Sequence, residues 1–331
     1  MIIFWVVVFI ISLGMLVKGS DWLIASAEKI GLALGLSPFI VGVIIIGVGT
    51  SFPELISSLA AVLKGVPDVV VANAIGSNIV NILLIVGVSA ILAKRIIVTK
   101  SLIDLDLPLL AISTVLLLGV VWDKQITFGE SLLMLVTYGI YLLYAVLHKD
   151  TEDADEIVTF LSLQQERRKR ITTDKKEGFM RPKLITKDFI FLAVGILSLV
   201  FGAQYLIDAL IRVSAILNIA TGVIAITAVA IGTSLPELLV SAKAAFQKKS
   251  EIALGNIFGY NVFNALVVIG LPGLFRVLPV DNQTFAIGVP TMALATLLFV
   301  ISGISRRIHI WEGAFYLSVY FLFIAKLFNW F

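Results

Sequence analysis

Long apolar runs separated by short polar clusters organise this chain of 331 residues. A helix that crosses the hydrocarbon core of a bilayer needs about 20 mostly apolar residues. Measured against that length, the pattern predicts ten spans, at 3–25, 38–63, 69–92, 104–122, 127–147, 188–210, 220–246, 252–275, 284–304 and 310–329. Backbone N–H and C=O groups find no water inside a bilayer, so each span is predicted to be helical. Residues 1–17 (MIIFWVVVFIISLGMLV) lack a positive leader and a small-residue cleavage site. They read as part of the first span rather than as a secretory signal.

One long polar stretch interrupts the pattern, from His148 to Lys187. It opens acidic (DTEDADE) and turns basic, with ERRKR at Glu166 to Arg170. Such a composition predicts a solvated, partly disordered tether. Lys94, Arg95, Lys100, Lys248, Lys249, Arg306 and Arg307 fall on the same predicted side as this tether. Lys64, Lys124, Arg212, Arg276 and Lys326 fall on the other, one to each loop or end. Loop Lys and Arg concentrate on the cytoplasmic side. The expected organisation is therefore a first unit of five spans at 1–147, a cytoplasmic linker at 148–187 and a second unit of five at 188–331. An even number of spans then places both termini outside.

Composition narrows the chemistry. Apolar residues make up 59% and charged residues 14%, and the mean hydropathy is +1.05. That is far more apolar surface than a water-soluble domain needs, so the solvent is lipid. A pI near 9.0 reflects loop Lys and Arg rather than a nucleic-acid surface. The chain has no cysteine, which excludes disulfides, thiol catalysis and thiolate metal sites. His148 and His309 both stand beside charged loop segments, which argues against a histidine zinc site or catalytic triad.

An internal repeat is the most informative pattern. A shift of 183 residues lays GTSFPEL (Gly49–Leu55) on GTSLPEL (Gly232–Leu238). The same shift pairs Asn73, Gly76, Asn78 and Asn81 with Asn256, Gly259, Asn261 and Asn264. It also pairs Gly19 with Gly202, Trp22 with Tyr205, and Ser58 with Ser241. Five spans is an odd number, so the second unit enters the membrane upside down. The expected fold is thus an all-α integral membrane protein, its ten helices in two inverted-topology repeats of five. Transporters built this way carry their sites near the midplane, between the repeats.

The repeated segments carry the chemistry. Glu54 and Glu237 fall mid-span at equivalent positions, where an ionised carboxylate is costly without a partner. Pro53 and Pro236 precede them, and each proline leaves the carbonyl four residues earlier, Gly49 or Gly232, without its donor. An ordinary kink is the other reading of those prolines. Thr50, Ser51, Thr233 and Ser234 add hydroxyls at the same break. Carbonyl, hydroxyl and carboxylate oxygens within six residues form the all-oxygen set that calcium prefers. On the following span Ser77 and Asn81 are four apart and share a helix face. The nearby glycines suit close helix approach, and the paired asparagines Asn81 and Asn264 suit a polar site.

GTSxPE followed by GSN and a further Asn, once in each half, resembles the alpha-repeats of the sodium/calcium exchanger branch of the cation/calcium antiporter superfamily. The resemblance covers essentially the whole chain. It implies antiport of calcium against sodium by alternating access, with no enzymatic activity and no cofactor. It implies calcium between Glu54 and Glu237 with carbonyls at Thr50 and Thr233, and sodium ligands at Gly47, Ser51, Ser77, Ala230 and Ser234. It also implies that the first and sixth helices slide across a core formed by the second, third, seventh and eighth. The partners expected are calcium, a monovalent cation and the lipid bilayer, with no nucleic acid and no obligatory protein.

Two positions depart from the family pattern. Tyr260, the mate of Ser77, stands where many relatives have serine, which removes an expected sodium ligand. Asn264 stands where potassium-dependent relatives carry aspartate, which argues against a potassium requirement. Proton/calcium antiport on the same two glutamates is the main alternative, although the GNATE-type motif of dedicated proton exchangers is absent. An intramembrane hydrolase built on a carboxylate dyad needs an acid and a base in unlike surroundings, whereas here the repeat makes the surroundings alike. A channel fits less well than exchange.

Overall fold

In the computed structural model the described residues are 2–33, 51–98, 107–147, 184–246 and 250–330. Most of the expected linker, and Gly47 and Thr50 among the expected ligands, lie outside them. Helices occupy the described part of every predicted span. In chain order they are α1 (Ile2–Ala33), α2 (Phe52–Leu63), α3 (Asp68–Ala93), α4 (Leu107–Asp123), α5 (Phe128–Leu147), α6 (Thr186–Leu217), α7 (Thr221–Thr233), α8 (Leu235–Phe246), α9 (residues 250–273), α10 (Thr284–Ile304) and α11 (Ile310–Leu327).

Two helices outrun the sequence expectation. α1 and α6 each hold 32 residues, about 48 Å at 1.5 Å per residue. A hydropathy reading stops at their charges, but the charges are paired: Lys29 Nζ meets Asp188 Oδ1 at 2.8 Å across the two helices. Asp188 also accepts from the Ile185 N–H, which caps α6. Small residues let the pair cross closely, as in other membrane helix dimers. A Cβ on Gly19 would lie 3.0 Å from the Gly195 carbonyl, and one on Gly202 would lie 3.1 Å from that of Ser12. Their outer faces expose Phe4, Val7, Ile10, Phe189, Ile196 and Phe201, as a lipid-facing surface does.

α3 occupies the opposite extreme. In its most apolar window 78% of residues are buried, against 17% for α1, so α3 is central and α1 peripheral. Four stretches among the described residues adopt the wider π-helical turn: Val80–Val86, Ala225–Val229, Asn264–Val268 and Thr284–Gly288. Such turns are rare and tend to occur at functional sites. Asn81 lies in the first of them, and its repeat mate Asn264 opens the third.

The all-helical expectation needs one amendment, because four short strands join the loops. β1 (Arg95–Ile97) pairs antiparallel with β4 (Arg307–His309), and β2 (Gln125–Ile126) pairs with β3 (Leu278–Pro279). The registers Arg95↔His309 and Ile126↔Leu278 exchange under the shift of 183 residues, as do Ile96↔Ile308 and Gln125↔Pro279. Two hydrogen bonds join a residue to its own mate. Ser198 Oγ donates to the Met15 carbonyl at 2.8 Å, and Asn78 Nδ2 donates to the Asn261 carbonyl at 3.1 Å, each across 183 residues.

Candidate ion-binding site

The two Gly-Thr-Ser-x-Pro-Glu segments treat the backbone alike. Ser51, with φ −88° and ψ 10°, precedes α2, and Ser234, with φ −85° and ψ 7°, separates α7 from α8. Pro53 and Pro236 follow as the second residues of α2 and α8. A proline is well placed in a first turn, where its missing N–H has no helical partner to lose.

The break delivers both glutamates to the interior. Glu54 and Glu237 are each 1% exposed. Each carboxylate keeps a buried Oε2 without a hydrogen-bond partner. Ser234 donates to Glu54 Oε1 at 3.4 Å, so the break in the second half reaches the carboxylate of the first. Thr233, whose hydroxyl donates to the Val229 carbonyl at 3.0 Å, lies beside that same carboxylate. Two like charges this deep in protein repel strongly and cost several kcal/mol each to bury unless a cation compensates them.

Neutral oxygens gather on the neighbouring elements. Ser51, Ser77, Asn81 and Asn264 are each at most 1% exposed. Their Oγ or Oδ1 atoms have no hydrogen-bond partner. A single buried polar group left this way costs about 1–3 kcal/mol, and native folds keep such groups few. Hydroxyl, amide and carboxylate oxygens are the donor types that a hard cation takes. Among the described residues no three acidic, His or Cys side chains converge, so neutral oxygens must complete any such shell. Ala230 differs from the rest. It is fully buried, and its carbonyl already accepts from the Ser234 N–H at 3.1 Å and the Thr233 hydroxyl at 3.4 Å.

Helix approach holds the shell together. A Cβ on Gly76 would collide with the Ile226 carbonyl in the π-helical part of α7. Glycine therefore lets α3 lie directly on α7. Two residues outside the predicted ligand set belong to the same region. Ser58 and Asn73 are buried, and the Ser58 hydroxyl and both polar atoms of the Asn73 amide are unpartnered. Ser58 lies one turn beyond Glu54, and Asn73 one turn before Ser77. Both belong to the repeat, so spacing of four from a site residue was the signal available to find them.

The model of the family described as "Sodium/calcium exchanger protein" matches residues 4–147 and 187–329. The chain belongs to the sodium/calcium exchanger family. The exchanger is 32% identical to the sodium/calcium exchanger MaX1 of Methanosarcina acetivorans, with 97% of each chain covered. It is 31% identical to the membrane protein MJ0091 of Methanocaldococcus jannaschii, with 99% of each covered. Among solved structures it resembles the sodium-calcium exchanger NCX_Mj, in one case with TM-score 0.63, 27% identity and coverage of 98% of this chain and 99% of that one. The exchanger is accordingly a multi-pass integral membrane protein of helical antiporter fold.

Proposed function

We propose that this chain exchanges calcium for sodium across the cell membrane by alternating access, with Glu54 and Glu237 as the shared carboxylates. The observation that carries the reading is a buried pair of glutamates, each with an open oxygen, among unpartnered hydroxyl and amide oxygens. One calcium ion neutralises both carboxylates, and so do two monovalent ions. An empty site leaves two uncompensated charges in a low-dielectric interior, so translocation is favoured only when the site is loaded. That preference couples the two fluxes. Ser51, Ser77, Asn81, Asn264, Thr233 and Ser234 complete the shell, with Gly47, Thr50 and Ala230 contributing backbone carbonyls.

We read the ten helices as two inverted repeats of five, with the linker cytoplasmic and both termini outside. The exchanged strand registers and the self-paired contacts at Met15–Ser198 and Asn78–Asn261 support that arrangement. The test is calcium flux in proteoliposomes, with sodium and proton gradients imposed separately. Sodium-driven uptake supports the proposal. Uptake driven by protons alone would make the glutamates proton carriers, a reading that the tyrosine at position 260 favours.

A further inference from the structure

We propose that the crevice between α2 and α6 binds one anionic phospholipid, with an acyl chain along the crevice and the phosphate held by Arg276 at its mouth. The site is separate from the carboxylate pair and does not depend on which ion is exchanged for calcium.

The crevice has a volume of about 210 Å³. Ile56, Leu59 and Leu63 of α2 face Val200 and Ala203 of α6 across it. Apolar space of this size excludes water and accepts apolar occupants. From Ile56 to Leu63 the wall runs about 10 Å along the helix axis, a length that suits a chain rather than a compact group. The surface around it identifies the occupant. Leu63 is 86% exposed, and Ile196, Leu197, Val200 and Phe201 form one exposed apolar stripe along α6. In a multi-pass membrane protein such a stripe is bathed by lipid tails, so the crevice opens onto them. Ile56 is two residues beyond Glu54, and an occupied crevice therefore sets a tail against the helix that carries one carboxylate.

One end of the crevice lies at headgroup level. Lys64 caps α2 there, and the exposed Tyr205 stands on the facing helix, a residue type that gathers at the membrane interface. The charges at this end are partly spoken for. Lys64 pairs with Asp208, and Asp68 accepts from the Thr221 hydroxyl. Arg276 is left over: among the described residues it makes no ion pair. Its Nη1 lies 3.9 Å from where a Cβ would stand on Gly65, the residue after Lys64. The side chain is exposed, between exposed Phe275 and Val277. A guanidinium matches a phosphate with two parallel N–H donors. One such residue at the membrane surface favours an anionic over a zwitterionic headgroup by about fivefold.

The experiment uses the full chain in detergent, titrated with dioleoyl phosphatidylglycerol or dioleoyl phosphatidylcholine, and counts bound lipids by native mass spectrometry. The expected result is one phosphatidylglycerol that survives activation sufficient to strip the rest, bound about fivefold more tightly than phosphatidylcholine. Val200→Trp at the mouth and Ala203→Phe in the wall should each remove that lipid. Arg276→Ala should keep a bound lipid but lose the headgroup preference. A wild type that retains no lipid overturns the site. So does retention of phosphatidylglycerol, undiminished, in a crevice-filling variant whose melting temperature shows it folded; if one of the two variants does not fold, the other decides. A headgroup preference unchanged in Arg276→Ala overturns the assignment of the phosphate to that residue.

Discussion

The two halves of this exchanger carry nearly the same motif and use it differently. GTSFPEL and GTSLPEL break the helix at serines of almost identical backbone geometry, and both bury a glutamate with one open oxygen. Yet Ser51, Ser58 and Ser77 in the first half are without partners, while Ser234, Ser241 and Tyr260 in the second are engaged. Repetition of a motif thus conserves where the oxygens are placed but not which of them stay free.

The deepest cut at this comparison is at the shared element. Glu54→Gln and Glu237→Gln are each expected to abolish calcium uptake while the protein remains folded, since an amide supplies neither the charge nor a second anionic oxygen. Uptake at the wild-type rate in either variant would show that the pair does not form one site. Next come the hydroxyls that distinguish the halves. Ser77→Ala is expected to raise the half-saturating sodium concentration roughly tenfold, the effect of about 1.4 kcal/mol lost with one ligand. Ser241→Ala should move it less than about twofold, because Ser241, unlike its repeat mate Ser58, already makes an interaction within the protein. Equal shifts in the two variants would erase the asymmetry.

Packing around the mates Gly76 and Gly259 gives a third contrast, read in stability. A methyl group on Gly76 meets the backbone of Ile226, whereas one on Gly259 meets nothing within 4 Å among the described residues. Gly76→Ala should therefore lower stability in detergent by about 1–3 kcal/mol, the usual cost of overpacking. Gly259→Ala should leave the melting temperature almost unchanged. Comparable losses in the two variants would mean that the close approach is not confined to the first half. The smallest effect is expected from the linker. Deleting most of 152–178, with enough chain kept to join the halves, should leave flux largely intact, and a well-folded but inactive deletion would assign it a working role.

Much of this was legible in the sequence because lipid imposes simple rules. Apolar length located the helices, and the constant offset located both glutamates and the asparagines of α3 and α9. The short strands were not legible, since two- and three-residue pairings between distant loops leave no periodic trace. Nor were the full lengths of α1 and α6, whose charges look like helix ends until Lys29 is seen to meet Asp188. The π-helical turns at Asn81 and Asn264 depend on packing rather than on propensity. Whether Ser77 is free and Tyr260 engaged is equally a property of neighbours, which composition does not encode.

The strand pairs have a mechanical consequence. β1 with β4 rivets the α3–α4 loop to the α10–α11 loop, and β2 with β3 rivets the α4–α5 loop to the α9–α10 loop. Backbone bonds beyond the ladders reinforce them, from Val98 N–H to the Arg306 carbonyl and from Val280 N–H to the Lys124 carbonyl. Among the described residues no strand reaches α1 or α6. Those two helices adjoin the rest through side chains and close helix contacts, including the ion pair of Lys64, just past the end of α2, with Asp208 on α6. Among the described residues the boundary between the α1–α6 pair and the riveted body is thus crossed by no strand pairing, and it carries an ion pair.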